Sequence, residues 1–127
     1  MTRVMSCLLL ITITLISIVG CTTETSATQE MAQSLMEEDK NSDLFLIESV
    51  LYKKLKTVNE TEFKAVNTIL YGEISMKYNK NKSEKFQSGM ASVLSSGTKL
   101  YRSVEHPEYV YSSEEGRYAV YKSVPEG

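Results

Sequence analysis

LFLIESVLYKKLKTV, residues 44–58, is the stretch on which the fold turns. Leu44, Ile47, Leu51, Leu55 and Val58 recur in it at spacings of three and four, with Val50 alongside. Such a stripe marks an amphipathic helix, whose side chains return to one face every 3.6 residues. Asn41 or Ser42 can cap its start, and Asp43 suits the positive end of its dipole. The segment therefore predicts a helix.

The same period continues downstream. Asn59 precedes Glu62 in the pattern of a capping box. Phe63, Val66, Ile69, Leu70 and Ile74 then form a second stripe, predicting a helix to about Tyr78. Asn79-Lys80-Asn81-Lys82 breaks the pattern as a loop. Asn81 or Ser83 can cap a third helix with Phe86, Met90, Val93 and Leu94 on its face, stopped at Ser95-Ser96-Gly97. Upstream, Met31, Leu35 and Met36 mark one side of a short helix within Glu30 to Lys40.

From Leu100 the period changes to two. Tyr109 and Tyr111 alternate with Val110, and Tyr118 and Val120 with Ala119 and Tyr121. Ser112-Ser113-Glu114-Glu115-Gly116 lies between them, so the tail predicts a β-hairpin. Pro107 suits its first residue or an edge. A lone hairpin is marginal in water and must pack on the helices or on a partner. The expected fold is mainly α, an α+β arrangement of three to four amphipathic helices with a C-terminal β-hairpin.

The 127 residues argue for a single domain, and 42% hydrophobic with 24% charged residues is a globular balance. The formal net charge of −2 gives no reason to expect nucleic acid. Charge is uneven, however: residues 22–62 carry −5, residues 63–104 carry +5, and residues 105–127 carry −3. Both cysteines, Cys7 and Cys21, lie in the first 21 residues, leaving no disulfide for the rest of the chain.

The amino terminus reads MTRVMSCLLLITITLISIVGC. Arg3 precedes an apolar run from Cys7 to Val19, too short to cross a bilayer comfortably and fitting a signal-peptide core. Its end, Ile18-Val19-Gly20-Cys21, resembles the bacterial lipobox, in which an aliphatic and two small residues precede an obligatory cysteine. An ordinary cleavage site, an uncleaved anchor and a chance cysteine are the alternatives. The resemblance to lipoprotein precursors implies cleavage before Cys21, a diacylglycerol thioether on Cys21, and further acylation in Gram-negative members. Thr22 stands where an Asp commonly retains enteric lipoproteins in the inner membrane, which implies the outer membrane, facing the periplasm. The expected organisation is a signal peptide over 1–20, a lipidated cysteine and tether over 21–29, and a globular domain over 30–127.

Catalytic signals are missing. His106 is the only histidine, beside Pro107, and reads as a loop residue. The acids Glu37-Glu38-Asp39 and Asp43 lack the spacing of a calcium loop, and no Cys/His cluster or phosphate-cradling glycine loop is present. The sequence thus predicts no enzyme, no cofactor, no metal and no nucleic-acid partner.

Two surface features stand out. Lys77, Lys80, Lys82 and Lys85 make a basic stretch flanked by Tyr78 and Phe86, read either as a solvated loop or as a contact for anionic headgroups or an acidic protein. Five of eight tyrosines follow residue 100. Of these, Tyr109, Tyr111, Tyr118 and Tyr121 are either hairpin packing or a partner surface. By elimination, the expectation is a non-enzymatic, membrane-anchored envelope lipoprotein that binds another envelope protein as an assembly or secretion accessory. It is similar in size and layout to the small helical pilotins, without a pilotin motif. An entry- or superinfection-exclusion or immunity lipoprotein of a plasmid or phage is the alternative, and an enzyme or small-ligand binder the third reading.

Overall fold

The computed structural model describes residues 27–82 and 85–125. The expected signal peptide, the lipobox-like residues Ile18 to Cys21 and the expected lipidation at Cys21 lie outside the described residues. In chain order the elements are α1 (Ala27–Glu38), β1 (Leu44–Ile47), β2 (Val50–Val58), α2 (Glu60–Ala65), β3 (Thr68–Glu73), β4 (Met76–Lys77), a 3-10 turn (Lys80–Lys82), β5 (Met90–Ala91), β6 (Lys99–Ser103), β7 (Tyr109–Glu114) and β8 (Arg117–Ser123). The mainly α expectation is overturned: among the described residues there are two α-helices, and eight strands form one sheet.

The decisive segment is a hairpin. Leu44 pairs with Lys53 and Ile47 with Val50, and the turn between them is Glu48-Ser49. Both turn residues have positive φ, +48° and +70°, as a two-residue hairpin turn matched to strand twist requires. The helical stripe fails on burial. Leu55, one of its members, is 55% exposed, whereas Phe45, Leu46 and Tyr52, which fall off it, are buried. Leu44, Phe45 and Leu46 are buried consecutively because both faces of the strand are covered, and a doubly covered strand shows no alternation.

The second expected helix survives as its first turns. The Asn59 side chain accepts from the Glu62 amide at 2.8 Å, and α2 runs from Glu60. It stops where Val66 turns extended, at φ −92° and ψ 132°. Val66, Thr68 and Ile69 are β-branched and favour the strand that follows. In place of the third expected helix, the described residues show a short turn at 80–82, no helix over 85–89, and β5, with Phe86 and Met90 buried all the same. Helix α1 is present but begins at Ala27, inside the stretch expected as tether.

The C-terminal hairpin forms around Glu115-Gly116, again with positive φ at both turn residues. It is an interior part of the sheet, with β7 paired to β6 and β8 to β2, and a helix lies over one of its faces. Pro107 precedes β7 in the connecting loop.

The strand order is β3-β6-β7-β8-β2-β1-β5-β4, so the two edge strands are consecutive in sequence. The sheet therefore curls enough to bring one end of β3 near one end of β4, without a ladder between them. The two ends are joined through Ile74-Ser75: Ile74 exchanges bonds with Thr98 and Gly97 beside β6, while the Ser75 amide donates to the Gly89 carbonyl beside β5. Gly89 also donates to the Leu46 carbonyl at 2.7 Å, so it stitches this corner to the first hairpin. Its φ of +91°, and the collision a Cβ would make with the Ser75 hydroxyl, explain the glycine.

Curling creates two cores. Inside lie Phe45, Tyr52, Ile74, Leu94, Leu100, Val110 and Tyr121, with the Phe45 ring 4.9 Å from Tyr52 and 4.8 Å from Tyr121. Outside, α1 lays Ala32, Leu35 and Met36 over Leu44, Leu46, Leu51, Phe86 and Met90. Each fully buried leucine there contributes about 1.5–3 kcal/mol. The helical layout shared with pilotins does not hold.

Candidate functional site

The tyrosines that sequence placed together occupy different environments. Tyr121 is fully buried in the inner core, so it offers no surface to a partner. Its hydroxyl donates to the Asp43 carboxylate at 2.8 Å. Burial pushes its ionisation upward, reinforced by the Asp43 charge. The period-two reading could not decide which hairpin face was inward; pairing with β2 and β6 does.

Tyr111 and Tyr118 point to the convex face, where α2 covers them. Phe63 stacks on Tyr118 at 4.6 Å and 16°, and meets Tyr101 and Tyr111 edgewise or tilted at 5.5 and 6.0 Å. Three rings from three adjacent strands thus hold a two-turn helix that buries no residue fully. Tyr109 sits apart, 6.2 Å from the His106 ring and under the Lys122 ammonium at 5.9 Å. His106 itself is exposed, 3.9 Å from the Glu108 carboxylate.

The basic stretch is likewise divided. Lys77 belongs to β4 and is exposed, as are Lys82, which closes the 3-10 turn, and Lys85 beyond it. The backbone of Lys80 opens the same turn; its side chain lies outside the described set. This turn and α1 form the two walls of an open groove of about 600 Å³, lined by Gln33, Met36, Glu37, Lys40, Tyr78 and Asn81 with Asn79 and Ser92. A smaller hollow of about 360 Å³ opens at one end of the curled sheet, with Asp43, Lys54 and Tyr121 among its lining. No group of three or more potential metal ligands exists among the described residues. Nor is any described helix long and apolar enough to cross a membrane.

The feature that sequence reasoning missed is β3. Its residues bond to β6 on one side, and among the described residues no ladder occupies the other. Ile69 and Leu70, expected as core, are 47% and 65% exposed. Leu70 pairs across the strands with Tyr101, which carries the apolar strip on to Phe63. The run Thr68-Ile69-Leu70-Tyr71, rich in β-branched and aromatic residues, held the signal for a strand. Comparison with protein-family models, with characterised proteins and with solved structures finds no match to this chain.

Proposed function

We propose that this chain is a lipid-tethered envelope protein that works by binding, not by catalysis. It engages another envelope protein along the free edge of β3, in an assembly or secretion accessory role. The observation behind this reading is the edge itself. An unpaired edge presents amides and carbonyls that accept an added strand, and proteins usually blunt such edges with lysine or proline. β3 reads TILYGE: it has neither residue, a single charge at Glu73, and two exposed aliphatic side chains. A bulge at Tyr71 leaves Thr68 to Leu70 as the regular stretch for pairing.

The lipobox supplies the address. α1 begins six residues after Cys21, and six residues of chain span at most about 20 Å, which bounds the distance of the domain from the acylated cysteine. Thr22 in place of Asp supports the outer membrane, facing the periplasm.

A photo-crosslinking residue placed at position 70 in the full chain tests the interface in the native envelope, with position 55, also more than half exposed, on β2 as comparator. Position 70 is expected to capture another envelope protein that position 55 does not. Cys21→Ser is expected to abolish fatty-acid incorporation and membrane retention, whereas Cys7→Ser leaves both intact. Equal or absent capture from both positions rejects the edge, and normal membrane retention of Cys21→Ser rejects the tether.

A further inference from the structure

The groove between α1 and the turn at 80–82 holds polar side chains that the fold does not use. Gln33, Glu37, Lys40 and Asn81 line it, and none of these side chains makes a hydrogen bond or ion pair among the described residues. Asn81 joins the turn only through its backbone amide, which donates to Asn79 at 3.0 Å. The apolar part of the lining is Met36 and Tyr78, the latter backed by the fully buried Phe86 with ring centroids 5.2 Å apart. At about 600 Å³ the groove lies within the ~300–1,000 Å³ range of small-molecule sites.

This composition selects a ligand class. One aromatic ring and a thioether suit a flat C–H face. Two carboxamides, each with a donor and an acceptor, suit an acetamido group, which carries one of each. Among the described residues of the lining, Glu37 and Lys40 place opposite charges together, and a phosphate would meet the Glu37 carboxylate. A purely apolar ligand would displace water from whichever of these polar groups it covers without replacing the hydrogen bonds, at a cost for each. A pyranose bearing an N-acetyl group satisfies all of these demands.

We propose that this groove binds an N-acetylated hexosamine oligosaccharide, the chemistry of a cell-wall glycan strand, with Gln33 and Asn81 reading the acetamido group and Tyr78 supporting the ring. The inference is independent of the β3 edge, which lies on a different part of the sheet.

The test is calorimetric titration of the purified full chain in detergent with the β-1,4 trimer of N-acetylglucosamine, beside cellotriose, which lacks acetamido groups, and a neutral N-acetylated tripeptide. The trimer is expected to bind and cellotriose to bind at least about tenfold more weakly. Gln33→Ala and Asn81→Ala are each expected to weaken the trimer about three- to tenfold, as loss of one neutral hydrogen bond does, with melting temperatures unchanged. Both sites tolerate alanine, since neither side chain holds the fold. No heat with the trimer up to about 5 mM, equal binding of cellotriose, or indifference to both substitutions overturns the proposal. Tighter binding of the tripeptide with the same sensitivity overturns it in favour of a peptide groove.

Discussion

The Tyr121 hydroxyl donates to the Asp43 carboxylate across 2.8 Å, joining the last strand to the residue that precedes the first. Asp43 also accepts from the Lys54 amide through its backbone carbonyl at 3.0 Å, and the Lys54 ammonium stands 4.0 Å from its carboxylate. One acid thus ties β8, β2 and the entry to β1 at one end of the curled sheet. Burial raises its pKa above the ordinary carboxylate value, outweighing the lowering by Tyr121 and Lys54.

That direction fixes a pH dependence. The folded protein holds the Asp43 proton more tightly than the unfolded chain does. Its contribution to stability is therefore complete below the unfolded pKa and is lost as pH rises through the raised folded value. Asp43→Asn keeps an acceptor for Tyr121 and removes the charge. Relative to wild type, the variant is expected to melt higher at pH 7, with the advantage shrinking as the pH is lowered toward about 3. A disadvantage that grows with rising pH would show that the attraction of Lys54 and Tyr121, not burial, dominates.

The turn between β1 and β2 places Glu48 and Ser49 in left-handed conformations that non-glycine residues adopt at a cost. Glu48→Asn combined with Ser49→Gly supplies the residues such turns prefer, and the backbone bond from residue 48 to the Ser88 hydroxyl is untouched. Stability is expected to rise by about 1–2 kcal/mol in urea unfolding. An unchanged midpoint would mean that the surrounding sheet already compensates the strain.

The same turn explains how the fold escaped the sequence. A hairpin announced by Asn-Gly is legible, and Glu115-Gly116, half of that signal, sufficed for β7 and β8. Glu48-Ser49 carries none of it. Without a visible break, Leu44 to Val58 could be read through, and its leucines fell by chance on a helical period. Asn59, by contrast, acts locally through one side-chain bond, so the start of α2 was legible while its early end, enforced by pairing of β3 with the distant β6, was not. The Tyr site was half legible for the same reason: alternation showed two faces, but only long-range pairing decides that Tyr121 faces inward.

Two substitutions separate the readings of the core. Leu51 is fully buried between α1 and the sheet, and Leu51→Ala is expected to cost about 2–5 kcal/mol. Ile69 would cost the same in a helical stripe. On the β3 edge it is 47% exposed, and Ile69→Ala is expected to cost less than about 1 kcal/mol. Equal losses at the two positions in chemical denaturation contradict the exposed edge.

Binding and folding are separable on the convex face. Leu70 is 65% exposed, and its neighbour across the strands, Tyr101, leads to Phe63, which clamps α2 over Tyr111 and Tyr118. Leu70→Lys puts a charge on the edge where an incoming strand would lie, without removing any buried contact. Its melting temperature is expected to match wild type, with stability changed by less than about 0.5 kcal/mol. Partner capture is expected to fall at least tenfold, about 1.4 kcal/mol, as loss of an interface anchor does. Phe63→Ala is the counterpart: it removes the stacking that holds α2 and is expected to cost about 1–3 kcal/mol of stability. If capture follows stability in both variants, the edge is structural and no interface lies there. If Leu70→Lys alone loses the partner while its fold is intact, the exposed edge of β3 carries the binding, because the rest of the fold that presents the partner surface is unchanged.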